Sequence, residues 1–181
     1  VLHHSEPVAG CVIEFVGGKH AWATRTYTAH KGGGAFCQGQ PIGVSKQSSL
    51  PHSLLVTGFV DVHVEARATN IGLFEQLTKV AQGVRRSGAS SVNLCHVALG
   101  IVEGYWEVRV KPWGVAAGAI IAKEAGAVLS TMDGQPYSVF EHTIIAAPAG
   151  VHAQLLQQTA PKMKAVLRQY GSGVYDPPSL C

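Results

Sequence analysis

At 181 residues with 46% hydrophobic content, the chain is long enough to bury one sizeable core and too short for two full domains. A net charge of +3, scattered along the sequence with Arg85-Arg86 as its densest spot, argues against a nucleic-acid surface. No apolar run approaches the roughly 18 residues of a membrane span, which speaks against a transmembrane segment. The four cysteines, Cys11, Cys37, Cys95 and Cys181, lack CxxC spacing, so neither a zinc site nor a disulfide framework is signalled and reduced thiols are the simpler reading. The first residue is Val1 rather than a methionine, as expected of a mature product or a fragment.

In chain order, the apolar run Val8 to Phe15, closed by Gly17-Gly18, and the run Ala21 to Tyr27 predict two strands joined by a glycine turn. The segment Lys31 to Ile42 is glycine-rich but lacks a Gly-Lys-Ser/Thr ending, so tight turns around a short strand are expected rather than a nucleotide loop. Leu54 to Thr57 predicts a buried strand, and the spacing of Leu73, Leu77 and Val80 a helix over about Glu65 to Gln82. Val84 to Ser87 predicts a short strand, followed by a turn at Gly88 to Ser91 and a buried helix from about Ser91 to Leu99.

From Tyr105 the sequence alternates Trp106, Val108 and Val110 against Glu107, Arg109 and Lys111, which predicts a strand with one apolar and one charged face, ended by Pro112. A small, aliphatic helix should follow from about Gly114 to Ala125, capped by Gly126. A strand over Ala127 to Thr131, a hairpin-type turn at Asp133-Gly134 and a buried strand at Ile144 to Ala147 come next. A helix over His152 to Gln169, broken or restarted at Pro161, closes a domain of residues 1–170, and Gly171 to Cys181 reads as a loose tail. This alternation predicts an α/β layered domain with a mixed sheet flanked by helices.

Several residues could carry chemistry. Asp61, His63 and Glu65 alternate as possible metal ligands, although a solvated cluster is the favoured reading. His96, alone among apolar neighbours, reads as a hydrogen-bonded core histidine rather than a ligand. The turns at Gly88 to Ser91 and Trp113 to Val115 each open a helix after a strand, where backbone N–H groups and the helix dipole favour an anion. Glu107 lies beside them. It could pair with Arg109 or Arg85, or accept hydrogen bonds from hydroxyls of a polyol.

Five segments carry a family resemblance: Gly83-Val84-Arg85-Arg86-Ser87-Gly88-Ala89-Ser90, Leu94 to Gly100, Tyr105-Trp106-Glu107, Lys111 to Gly118 and Glu124-Ala125-Gly126. Together they strongly resemble the C-terminal half of the inositol monophosphatase family. Gly32 to Gly39, with Ile42 and Ser45, looks like that family's turn before its second half. Glu14 to Gly18 with the Trp22 to Thr26 strand is similar to the plant plastid branch. The resemblance runs over roughly Val8 to Thr159, and several motifs agreeing in order make it specific.

The resemblance implies an inositol-monophosphatase-like α/β sandwich, usually a homodimer, that hydrolyses phosphomonoesters of small polyols with Mg²⁺, and a plastid location. It assigns Glu107 as acceptor for substrate hydroxyls, and Gly88, Ala89 and Ser90 as the turn along the substrate. Gly114 stands where the family has a metal-ligating Asp. The family's metal-loop Glu and its Asp-Pro-Xaa-Asp-Gly-Thr motif belong before Val1, and the sequence holds only three aspartates, Asp61, Asp133 and Asp176. Two divalent ions about 3.5–4 Å apart need several carboxylates around them. The expectation is therefore a chain without catalytic or metal-ligating residues of its own, inactive alone and needing a missing half. The alternative is a non-catalytic relative kept for a binding or scaffold role.

Overall fold

The computed structural model describes residues 1–19, 21–58 and 64–170. Its strands are β1 (Leu2–His3), β2 (Glu6–Pro7), β3 (Ala9–Gly18), β4 (Ala21–His30), β5 (Ala35–Cys37), β6 (Gln40–Ile42), β7 (Leu54–Thr57), β8 (Gly83–Arg86), β9 (Gly104–Val108), β10 (Val128–Ser130) and β11 (Thr143–Ala147). The helices are α1 (Val64–Thr78), α2 (Ser90–Ala98), α3 (Pro112–Glu124) and α4 (Ala149–Tyr170). The tail from residue 171 and the expected ligands Asp61 and His63 lie outside the described residues, as does the side chain of Glu65.

Two sheets form the frame. One is antiparallel, in the order β3-β4-β5-β6, and the other is mixed, in the order β10-β11-β9-β7-β8 with β7 parallel to both β8 and β9. The small, aliphatic helices α2 and α3 lie between them. On one side Cys95, Ala98 and Ile121 pack against Val12, Tyr27 and Ala29 of the antiparallel sheet. On the other, Leu94, Val97, Val115 and Ala119 pack with Tyr105, Ile144 and Ala146 of the mixed sheet. The opposite face of the mixed sheet buries Leu55, Trp106 and Ile145 under Leu73 and Leu77 of α1 and Leu155 and Met163 of α4. The result is the expected layered α/β domain with helices on both faces of a mixed sheet.

Several elements differ from expectation for physical reasons. Strand β9 has no solvent face: it sits in the middle of the mixed sheet with helices on both sides, so Glu107 and Arg109 are buried at 5% and 4% exposure. Arg109 lies past the strand end at φ 66°, outside the regular alternation. Helix α1 stops at Thr78, because the Gln82 N–H donates to Ser53 O at 3.1 Å and draws the chain toward the sheet, which leaves Val80 exposed. The Gly-rich segment makes two strands rather than one, turning at Gln38 and Gly39, both at positive φ. Asp133-Gly134 does form a hairpin-type turn, closed by the Thr131 N–H donating to Gln135 O and flanked by a Ser130–Pro136 bridge, within a longer connection from β10 to β11. Pro161 neither breaks nor restarts α4, which runs unbroken from Ala149 to Tyr170. A proline in a helix interior disturbs the carbonyls of the preceding turn, and here the Gln76 side-chain amide donates to Gln158 O at 3.3 Å.

Candidate functional site

Glu107 occupies the centre of the mixed sheet because β9 is paired on both edges, with Ile144 of β11 as its direct neighbour. Period-two alternation sends Trp106 and Val108 toward α1 and α4, and Tyr105 and Glu107 toward α2. The Glu107 Oε2 accepts hydrogen bonds from Tyr105 Oη at 2.5 Å and from Ser90 Oγ at 2.9 Å. Its partners are thus hydroxyls, and among the described residues no arginine or lysine forms an ion pair with it. Gly58, just past the end of β7, makes room for the carboxylate: a Cβ there would lie 2.3 Å from Glu107 Oε2. Burial pushes the Glu107 carboxyl above its ordinary pKa, while the two hydroxyl donors pull it back. Burial also raises the Tyr105 phenol well above its usual value, so it stays a donor.

Ser90 is the first residue of α2, and Ala89 is its N-cap, without a side-chain cap. Gly88 and Ala89 are exposed and Ser90 is half-buried, so the first-turn N–H groups of α2 open beside the Glu107 carboxylate. The neighbouring helix begins at the same place. Ser91 Oγ donates to Gly114 O at 2.6 Å, which fixes the N-terminus of α3 next to that of α2. The helices approach closely because Gly118 has no side chain: a Cβ there would meet Leu94 Cβ at 2.8 Å and Ser91 O at 2.9 Å. Gly114 differs, because a Cβ on it would meet nothing within 4 Å.

The structure thus brings Glu107, Ser90 and, through Ser91, Gly114 into one region. Sequence reasoning missed Tyr105 and Gly58. The first lies two residues before Glu107 on the same strand face, and the second is a glycine at the end of a buried strand, a signal of close approach. His96 is hydrogen-bonded as expected, but its environment is not wholly apolar. Its Nε2 lies 2.8 Å from Glu14 Oε1, and Tyr27 Oη donates to the other carboxylate oxygen at 2.9 Å. The Gly-rich turn does cradle an anion, an internal one: the N–H groups of Gly32 and Gly34 each donate to the Glu124 carboxylate at 3.0 Å and hold its pKa down.

Magnesium takes several oxygen ligands in near-octahedral geometry. Among the described residues, no three His, Cys, Asp or Glu side chains are grouped to hold a metal ion. Glu107 Oε2 is already occupied by two hydroxyls. Position 114 carries no side chain. This donor set does not by itself fit a magnesium centre. A cavity of about 600 Å³ lies elsewhere, between the β1–β2 hairpin, the second half of α3 and β10, and shares no lining residue with the Glu107 cluster. The chemistry of the donors, not cavity size, locates the candidate site.

Comparison with known proteins agrees with this architecture. The sequence profile of the inositol monophosphatase family matches residues 1–165. The chain is 49% identical over 161 residues to the chloroplastic phosphatase IMPL1 of Arabidopsis thaliana, covering 89% of this chain and 43% of that protein. It is 42% identical over 127 residues to an inositol-1-monophosphatase of Synechocystis, covering 70% of this chain and 44% of that one. Among solved structures, inositol monophosphatase from Anabaena superposes with a TM-score of 0.68 at 39% identity, over 74% of this chain and 53% of that chain. The Thermotoga maritima inositol monophosphatase superposes with a TM-score of 0.70 at 27% identity, over 78% and 54%. The chain therefore spans about half the length of these relatives. No helix of the described residues is long and apolar enough to cross a membrane. By profile, sequence identity and fold together, the chain belongs to the inositol monophosphatase family.

Proposed function

We propose that this chain forms the substrate-side wall of a phosphomonoesterase for inositol monophosphate or a similar small polyol phosphate, in a plastid setting. The observation that carries the reading is the Glu107 carboxylate, buried and held by Ser90 at the N-terminus of α2. Its Oε1 takes no hydrogen bond from a described residue, which leaves an acceptor for a substrate hydroxyl. Gly88, Ala89 and Ser90 lie along the substrate, with the helix N-terminus favouring its negative charge. The relatives named inositol monophosphatases support the substrate class, and the chloroplastic relative supports the compartment.

The metal half of the chemistry comes from outside these residues. The chain binds Mg²⁺ poorly and is inactive alone, and a complementing segment in cis or trans supplies the ligands. The domain spans residues 1–170 and residues 171–181 are a tail. The test is Mg²⁺-dependent phosphate release from inositol monophosphate, with and without an added N-terminal half of a relative. Activity only in the mixture, lost in Glu107→Ala, is the expected result. Turnover by the chain alone would overturn the proposed division of labour. A second reading, a non-catalytic relative that binds the ester without cleaving it, is motivated by Gly114. Binding of inositol monophosphate to the mixture without turnover would favour it.

A further inference from the structure

The cavity of about 600 Å³ beside the β1–β2 hairpin lies away from Glu107 and has a floor and a mouth of different character. The floor is apolar. Ile120 of α3, Leu129 of β10 and Val139 line it. Tyr137 adds its ring, because the Tyr137 hydroxyl is withdrawn from solvent and bonded to nothing in the chain. Val128, exposed at the start of β10, stands at the rim. A void of this volume with a mainly apolar lining and a few polar groups is the common form of a small-molecule site.

The mouth is charged, with Glu6, Lys31, Lys123 and Glu124 around it. Three of these groups already have hydrogen-bond partners. Lys31 Nζ donates to Glu6 Oε2 at 2.8 Å, and the two Glu124 oxygens accept the N–H groups of Gly32 and Gly34 at 3.0 Å each. Lys123, exposed in the last turn of α3, forms no ion pair with a described residue. The charge left unanswered at the mouth is therefore an ammonium, a donor-only group that calls for an acceptor-only partner. One wall, the turn at His4 and Ser5, is closed on itself. Both residues have positive φ, 48° and 66°, and the Leu2–Pro7 and His3–Glu6 pairs complete the hairpin.

We infer that this cavity binds a small amphipathic carboxylate, its acid group on Lys123 and an aromatic or branched apolar body against Ile120, Leu129 and the Tyr137 ring. The two contacts have separate tasks. An exposed ion pair contributes little affinity and is screened by salt, so Lys123 orients the ligand and burial of the apolar body supplies most of the binding. A polyol phosphate is excluded by the same floor, where its hydroxyls would lose water and meet no polar partner. The site is thus distinct from the Glu107 wall, and its occupancy does not rest on the phosphatase reading.

The test is a titration of the chain with hydrocinnamate at low salt, followed by methyl nuclear magnetic resonance. The methyls of Ile120, Val128 and Leu129 should shift together and saturate, with a Kd on the order of 1 mM, the scale open to a ligand of about a dozen non-hydrogen atoms. The neutral amide of the same acid should bind roughly three- to fivefold more weakly, and that difference should vanish in Lys123→Gln. Val128→Trp, which adds bulk at the rim, should weaken acid and amide alike. If that variant fails to fold, Lys123→Gln, at an exposed position, decides alone. Inositol monophosphate added in excess should leave the hydrocinnamate-bound shifts unchanged. No saturation by about 10 mM, shifts confined to other methyls, equal affinity of the wild-type chain for acid and amide, or displacement by inositol monophosphate would overturn the assignment.

Discussion

The Ser91 hydroxyl donates to the Gly114 carbonyl at 2.6 Å and so ties together the first turns of α2 and α3. Two helix N-termini then face the same region beside Glu107, with their partial positive ends reinforcing one another. Position 114 is the third residue of α3, after Pro112 and Trp113.

Gly114→Asp should fold and be more stable than the parent. The added Cβ meets nothing within 4 Å. Replacing a helical glycine and placing an acid in the first turn together contribute about 0.5–1.5 kcal/mol. At roughly 2–4 °C per kcal/mol, the expected rise in melting temperature is a few degrees. If the carboxylate also serves as a metal ligand beside a complementing half, Mg²⁺ should raise the melting temperature of that mixture further. An aspartate variant less stable than the parent would show that the space at position 114 is closed in solution.

Glu107→Gln tests the buried carboxylate through pH. The folded-state pKa of Glu107 lies above its ordinary value of 4.5 because of burial. The unfolded chain therefore ionises more readily. Wild-type stability is unpenalised below about pH 4.5 and falls as pH rises through the folded pKa, then levels off. The Gln variant lacks this penalty and can still accept from Ser90 and Tyr105. Its melting temperature relative to wild type should increase between about pH 4 and pH 8. A pH-independent difference between the two melting curves would contradict this.

The layered fold was legible in the sequence because helix and strand periodicities change cleanly at glycines and prolines. The Leu54–Thr57 run, the Gly126 cap and the α2 turn all fall where the pattern places them. The charged face of β9 did not follow from the pattern. Alternation reports which side of a strand a residue faces, not what covers that side, and helices on both faces bury Glu107 and Arg109 alike. The residues alone left Glu107 as either an ion-pair partner or an acceptor for hydroxyls, and the resemblance singled out the second, whereas its partners Ser90 and Tyr105 required the packing of α2 on β9. Pro161 misled for a different reason: local propensity disfavours it, but α4 packs along its length through Val151, Leu155 and Met163.

Pro161→Ala should therefore stabilise the chain. The alanine restores a backbone donor for the preceding turn and removes the ring clash, against a smaller gain of unfolded-state entropy. The net effect should be roughly 1–2 kcal/mol, read as a higher midpoint in urea with an unchanged slope. A lower midpoint would mean that Pro161 is needed to seat Gln158 against Gln76, whose side chains bond at 2.8 Å.

The last prediction concerns His152, buried at 8% exposure where α4 meets β10. Ser130 Oγ donates its single proton to Thr131 O at 2.8 Å, so in the 2.9 Å contact with His152 Nε2 the imidazole must be the donor. That contact needs a proton on Nε2, and burial favours the neutral form of the ring. Burial lowers its pKa below the ordinary 6.5, so the unfolded chain takes up a proton first as pH falls. Stability contributed by the neutral ring is complete above about pH 6.5 and is lost progressively below it. His152→Gln keeps a donor for Ser130 and does not titrate. The melting temperature of wild type minus that of the variant should decline between about pH 6.5 and pH 5 and stay level above. Parallel curves across that window would show that His152 holds its proton equally well folded and unfolded.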